Sequence, residues 1–256
     1  MNKPNQIKIV LVEPSHPGNI GAAARAAKTM CIENLVLVNP AEFPSGQARA
    51  RATGAIDVLE RAELCDSLKE AIADCTFVVG ASARERGLQC PVITPDDLGG
   101  RVWQEFEQGN VAVVFGRESS GLSNEELDQC HYLTTIPANW EFSSLNIASA
   151  VQVICYEIYK AFLKKSSENK IVGDALEVHE VVDPLATVEQ LENMFEHMQQ
   201  VLHEIEFFDP KQPKLLMRRL RHLYSRARLT LVETNILRGI LSATQKAKRQ
   251  ANTLEK

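Results

Sequence analysis

Five short apolar runs recur through the first 165 residues: IKIVLV (7–12), NLVLVN (34–39), FVVGAS (77–82), VAVVF (111–115) and YLTTI (132–136). Helical patterns fill the gaps at 19–30, 67–73, 96–107 and 124–129. Strands this continuously apolar need cover on both faces, and the alternation with helices supplies it. The expected fold is therefore α/β, a mostly parallel sheet with helices on both faces. SSLNIASAVQVICYEIYKAFLKK closes this unit as a long helix. Ser143 or Ser144 is its expected cap, and Leu145, Ala148, Val151, Cys155 and Ile158 fall on the side expected to be buried.

The 256 residues exceed one such domain of about 150 residues and leave room for an appendage. Residues 166–186 are polar, contain Gly173 and Pro184, and read as a linker. Beyond it 187–206 and 213–248 read as helices, so the expected domains are 1–165, the linker 166–186, and a small all-helical extension over 187–256. In the second of these helices Leu216, Leu220, Leu223 and Ala227 share a face, while Arg218, Arg221 and Arg228 share another. The net charge of −5 conceals a division: residues 168–210 carry eleven acids against Lys170, and 211–250 carry eleven bases against Glu233. Such a basic block points to phosphate contact, with a solvated face paired with the acidic helix before it as the alternative, and Arg218, Arg221 and Arg228 are the expected RNA-binding residues.

Several classes are excluded at this stage. No apolar run approaches the roughly 20 residues of a membrane span, and MNKPNQIKIV lacks the apolar core of a signal peptide, so a cytoplasmic protein without a membrane partner is expected. The six cysteines show no C-x-x-C pair and the six histidines no local cluster. The cysteines are expected as buried small hydrophobes in a reducing compartment, and no metal is expected.

Three motifs stand at strand ends. SHPGNIGAAARAAKTM follows the first strand: Asn19 is an expected helix cap, Gly21 permits close backbone approach, and Arg25 is a long cation among alanines. With only Gly18 and Gly21 present it is no dinucleotide fingerprint. VVFGRESSGLS (113–123) has the G-x-x-x-x-G spacing of a phosphate loop, yet Leu122 stands in place of the lysine and Glu118 lies inside the turn. A carboxylate there repels a triphosphate, so the loop suits a ligand that is not polyanionic, read by backbone groups of Gly116 and Gly121. IPANWEFSSLNIASA places Ser143, Ser144 and Asn146 at the start of a helix.

In this order the three motifs, NIGAAAR, FGRESSGLSNEEL and SSLNIASAVQV, resemble those of the SPOUT superfamily, specifically its TrmH-type RNA ribose 2′-O-methyltransferases. IVLVEPSHPGNIGAAARAAKTM, GASARERG and RRLRHLYSRA with ETNILRGIL are closer still to the TrmJ group, tRNA (cytidine/uridine-2′-O-)-methyltransferases. The resemblance covers nearly the whole chain. It implies S-adenosylmethionine held in a C-terminal trefoil knot of the first domain, an obligate homodimer, and tRNA as partner, with nucleotide 32 of the anticodon loop as target. By motif, the cofactor site takes Ala81, Ser82, Ala83, Gly116, Glu118, Ile136, Ser143, Ser144, Leu145 and Asn146. Arg25, Asn19 and Ser144 are the implied catalytic residues, and Arg84 of GASARERG is a further RNA contact. A methyltransferase for another RNA such as ribosomal RNA, or a non-catalytic RNA-binding protein on the same fold, remain the alternatives.

Overall fold

A computed structural model describes residues 6–83, 90–139, 141, 143–168, 183–208 and 215–254. Two compact units divide the chain, Met1–Glu180 and Val181–Lys256.

The first unit is built on seven strands: β1 (Ile7–Val12), β2 (Asn34–Val38), β3 (Glu63–Cys65), β4 (Cys75–Ala81), β5 (Val92–Ile93), β6 (Asn110–Phe115) and β7 (Tyr132–Thr134). They form one sheet in the order β3-β2-β1-β6-β4-β7-β5, and every pairing is parallel. The five expected strands are present. β3 and β5, of three and two residues, are too short to show periodicity in sequence. β1, β2, β4 and β6 are buried along almost their whole length, whichever way successive side chains point, so layers cover both faces of the sheet.

The helices between strands are α1 (Pro17–Thr29), α2 (Gly46–Ala52), α3 (Ile56–Glu60), α4 (Leu68–Ala71), α5 (Pro95–Phe106), α6 (Asn124–Leu127) and α7 (Ile147–Glu168). α2 and α3 are additional to the sequence expectation. The alanines of α1 serve packing: Ala23, Ala24, Ala26 and Ala27 are buried, and a Cβ on Gly21 would lie 2.0 Å from the Ala48 carbonyl oxygen. Gly21 thus permits close approach to α2.

Strand order reverses at β1/β6, and the sheet continues β6-β4-β7 beyond that point. Open parallel sheets bind ligands outside the carboxyl ends of strands near such a reversal, where successive loops diverge and leave a crevice.

The second unit contains α8 (Val188–Glu204), α9 (Leu216–Ala227) and α10 (Leu231–Leu254). Thr187 and Gln190 form a capping box at the start of α8. The small core gathers Leu191, Met194, Phe195 and Met198 of α8 against Leu220 and Tyr224 of α9 and Leu237 and Leu241 of α10. The single helix expected over 213–248 is interrupted, because Arg228 takes φ +53° and ends α9. The face shared by Leu216, Leu220, Leu223 and Ala227 is only partly covered: Leu220 packs against the core, Leu223 is 50 % exposed and Ala227 is exposed, while Tyr224 joins the core. The sequence boundaries also shift. α7 extends to Glu168, and residues 184–186 bond to the α9–α10 connection, with Ala186 N–H donating to Leu229 O at 2.9 Å and Leu231 N–H to Pro184 O at 2.8 Å. Residues 169–182 of the expected linker lie outside the described residues.

Candidate active site

β6 ends at Phe115, and the chain then folds back on itself so tightly that a Cβ on Gly116 would lie 2.2 Å from the Gly121 carbonyl carbon. Gly121 N–H donates to Arg117 O at 2.8 Å, and Arg117 N–H returns the bond to Gly121 O at 3.2 Å. Gly121 takes φ +69°, a region that favours glycine. The Arg117 guanidinium fastens this loop with five donor contacts: to both oxygens of Glu13 at 2.8 and 2.6 Å, to both oxygens of Glu126 at 3.0 and 3.1 Å, and to Gly121 O at 3.5 Å. Glu126 also completes a capping box with Ser123 at α6. The shared hydrogen bond is the main reason that Glu13 is held below, and Arg117 above, its ordinary pKa. Leu122 is buried, with its Cδ1 3.1 Å from where a Cβ on Gly80 would be. The loop therefore has an apolar anchor where a triphosphate loop has its cation.

Glu118 links this loop to the first motif. Its Oε2 accepts from the Ser15 N–H and hydroxyl, both at 3.1 Å, and its Oε1 accepts from Asn19 Nδ2 at 3.1 Å. A carboxylate only accepts, so the Asn19 amide must turn its NH2 toward Glu118 and its oxygen away. That oxygen accepts from Asn146 Nδ2 at 3.0 Å, which in turn leaves the Asn146 oxygen for the Ala148 N–H at 2.9 Å, the cap of α7. One charge on the motif-two loop thus orients two amides and reaches the start of the motif-three helix. Burial opposes ionisation of Glu118, but donors from Ser15, Asn19 and its own backbone outweigh that cost and hold the carboxyl below its ordinary range.

Two expected caps are corrected by this arrangement. Asn19 does not cap α1, which begins at Pro17, so its side chain is released for the relay. Neither Ser143 nor Ser144 caps α7; the residue before Ile147 is Asn146, and its side chain takes that place.

A cavity of about 220 Å³ opens at the carboxyl ends of β6, β4 and β7, somewhat below the range of about 300–1,000 Å³ usual for small-molecule sites. Its lining includes Ala81, Ser82 and Ala83 after β4, Gly116 and Glu118 after β6, Ile136 after β7, and Ser143, Ser144 and Leu145 before α7. Nine of the ten sequence-derived cofactor positions are thus brought together. Asn146 is not part of the lining; its amide is engaged by Asn19 and the helix cap. Sequence reasoning missed Phe115, Thr134, Ile147 and Ala150, which line the same space. Thr134 is 1 % exposed, and its hydroxyl has no hydrogen-bond partner among the described residues. A buried polar atom without a partner beside a cavity marks a place for a ligand atom. No sequence signal distinguishes Thr134 from Thr135, since only the register of β7 selects between them.

Asn19 and Arg25 are not lining residues. Arg25 is exposed on α1, and its guanidinium has no hydrogen bond or ion pair among the described residues. Of the expected RNA contacts, Arg84 lies outside the described residues. Arg221 donates to both oxygens of Glu192, one contact at 2.9 Å, and stacks 4.7 Å over Phe195, so it ties α9 to the acidic helix α8. Arg228 forms the left-handed end of α9, and Arg218 is partly buried. The exposed cations of this unit include Arg219, Arg226, Arg238 and Lys246. Among the described residues no group of three or more His, Cys, Asp or Glu is arranged to hold a metal ion, and no helix is long and apolar enough to cross a membrane.

The parallel sheet, the glycine-tight loop and the carboxylate–amide relay define a class of protein that the comparisons make explicit. Residues 6–156 match the SpoU rRNA Methylase family, and the chain belongs to that family. Residues 189–253 match a second model, the C-terminal domain of tRNA methyltransferase TrmJ, which places the chain in the TrmJ branch. A similar relative is the tRNA (cytidine/uridine/adenosine-2′-O-)-methyltransferase TrmJ of Pseudomonas aeruginosa, 45% identical over 96% of this chain and 96% of that protein. The tRNA (cytidine/uridine-2′-O-)-methyltransferase TrmJ of Yersinia pestis is 46% identical over 94% of this chain and 92% of its own length. Among solved structures, TrmJ from Z. mobilis ZM4 aligns with a TM-score of 0.79 and 32% identity, covering 93% of this chain and 98% of that one.

Proposed function

We infer that this protein transfers a methyl group from S-adenosylmethionine to a ribose 2′-hydroxyl of tRNA, at nucleotide 32, cytidine or uridine, of the anticodon loop. The observation that carries this reading is the Glu118–Asn19–Asn146 relay, which joins all three motifs beside the cavity at the strand ends. The names of the full-length relatives support the substrate class.

The site suits the cofactor on its own chemistry. A loop closed tightly at Gly116, an apolar wall of Phe115, Ile136, Leu145 and Ile147, and the partnerless Thr134 hydroxyl fit an adenosyl group with few charges. When bound, S-adenosylmethionine supplies an activated methyl carbon on a sulfonium. The chain's residues align the ribose and lower the cost of losing its proton. Ser144, exposed at the cavity, is placed to contact the sugar, and Asn19 holds the motif-one helix to the loop. The family assigns Arg25 the role of base. A guanidinium rarely surrenders a proton in a protein, so the competing role is electrostatic, gripping a phosphate or the developing alkoxide.

The trefoil knot belongs to this proposal. β7 lies between the earlier strands β4 and β5, as a late segment threaded into a formed sheet would. So does the homodimer, supported by Tyr156 and Leu163, which stand 49% and 44% exposed on α7. We place the reaction in the cytoplasm, with the helical unit delivering tRNA. The test is transfer of labelled methyl from S-adenosylmethionine to unmodified tRNA and ribosomal RNA side by side, with the modified nucleotide mapped by mass spectrometry. Label confined to ribosomal RNA would replace the substrate, and no cofactor binding by calorimetry would end the proposal.

A further inference from the structure

Helices α1 to α3 and the turn after them carry five cations, and three of these are neutralised locally. Lys28 Nζ pairs with Asp57 at 2.6 Å, Arg49 with Glu60 at 3.1 Å, and Arg61 with Glu33 at 3.1 Å and Asp57 at 3.2 Å. Two stand apart. Arg25 and Arg51 are both exposed, and neither guanidinium has a hydrogen bond or ion pair among the described residues. An acid-rich surface that leaves two arginines unpaired keeps their charge available to an outside anion.

The two are also brought to one face. The Arg51 stem crosses Gly18: a Cβ there would meet Arg51 Cγ at 3.7 Å and Gln47 Nε2 at 3.3 Å. Gly18 and Arg25 are seven residues apart on α1, two helical turns, so they share a face about 10 Å apart along the axis. Between them that face carries Gly21, buried against α2, and the partly exposed Ala22. A low shelf of small residues with an arginine at each end lets a sugar-phosphate strand approach the helix closely, and each fork matches a phosphate bidentately.

We propose that Arg51 is a tRNA-binding residue that grips a backbone phosphate beside the target nucleotide, with the strand laid along α1 from Arg51 to Arg25. The assignment rests on the proposed tRNA reading. It names a contact in the catalytic unit, outside the helical extension from which all the sequence-derived contacts but Arg84 come. Arg51 fixes the strand and does not take part in the chemistry.

The test is steady-state methylation of unmodified tRNA, with tRNA binding measured across a salt series, for the full-length chain and for Arg51→Gln, Arg51→Lys and Arg49→Gln. Arg51→Gln is expected to raise KM for tRNA about 5- to 10-fold and to reduce the slope of log Kd against log salt by roughly one. Its kcat and S-adenosylmethionine affinity should stay within about twofold of the unsubstituted chain, with an unchanged melting midpoint. Arg51→Lys, which keeps a charge but not the fork, should recover most of the salt slope. Arg49→Gln, whose partner Glu60 already neutralises it, should leave KM within about twofold. An Arg51→Gln chain with unchanged KM and salt slope overturns the assignment, as does an equal loss in Arg49→Gln, which would show a diffuse field only. If the unsubstituted chain methylates no tRNA, the proposed function fails; an active chain indifferent to Arg51→Gln overturns this inference alone.

Discussion

The side-chain amides of Asn19 and Asn146, 127 residues apart in sequence, meet at 3.0 Å, and Glu118 fixes which end of each amide faces the other. The first prediction tests that order. Glu118→Gln removes the one group that can only accept, so the amide chain can invert. Cofactor affinity should fall about 10- to 100-fold, the range for losing a hydrogen bond to a charged group. Asn19→Ala, which cuts the relay in its middle, should lower kcat as well. The pH dependence has a definite sign: Glu118 titrates below its ordinary value of 4.5, so its stabilising contribution is present above that value and lost as pH falls through the lower folded-state value. Melting midpoints of the unsubstituted and Glu118→Gln chains should differ by a nearly constant amount between about pH 5 and 7 and converge in more acid solution.

Two glycines separate site from scaffold. Gly116→Ala places a methyl 2.2 Å from the Gly121 carbonyl carbon and should abolish cofactor binding by opening the loop. Gly21→Ala strikes the Ala48 carbonyl oxygen at 2.0 Å between α1 and α2, and should destabilise the fold by about 1–3 kcal/mol in denaturant titration.

Arg25→Ala should nearly abolish turnover while leaving cofactor affinity intact, since Arg25 does not line the cavity. Arg25→Lys separates the two roles. A residual rate climbing steeply with pH identifies a base, and a pH-independent loss identifies an electrostatic grip.

Removing residues 169–256 cuts after α7 and takes away the second unit with its basic block. The remaining chain should bind S-adenosylmethionine normally and bind tRNA more weakly, with a flatter salt dependence. Parallel loss of cofactor binding would show that the extension supports the core.

Native thiol reactivity should be confined to one position. Cys31 is exposed, whereas Cys65, Cys75, Cys90, Cys130 and Cys155 are buried. Burial is the chief cause that pushes Cys65 up to about 11, and Cys75, Cys90 and Cys155 up to about 12. Thiolate is the reactive form, so a colorimetric thiol reagent at pH 8 should modify one cysteine rapidly, and all six only after unfolding. A second fast thiol would contradict the packing.

The strand ends that carry the site were legible in the sequence, because the strands are marked by unbroken Val, Ile and Leu. The glycines and the carboxylate of FGRESSG spoke against a triphosphate loop, and nine of the ten positions that the family resemblance implied for the cofactor line one cavity. The helical extension was less legible. Charge placement pointed Arg221 to RNA and periodicity put Leu223 on one face with Leu220, yet Arg221 is paired with Glu192, and Leu223 is half exposed while Leu220 packs against the core. A helical wheel gives angles around one axis but not which neighbour stands at each angle.

The sequence by itself determined that this chain is a parallel α/β domain with three loop motifs and a charged helical extension, since periodicity and glycine placement are local properties. Tertiary structure decided the caps, the partner of each arginine and the partnerless hydroxyl of Thr134. Several of those depend on contacts between distant residues, 29 positions for Arg221 with Glu192 and 127 for Asn19 with Asn146. A hydrogen bond or an ion pair forms only where folding has brought donor and acceptor within about 3 Å.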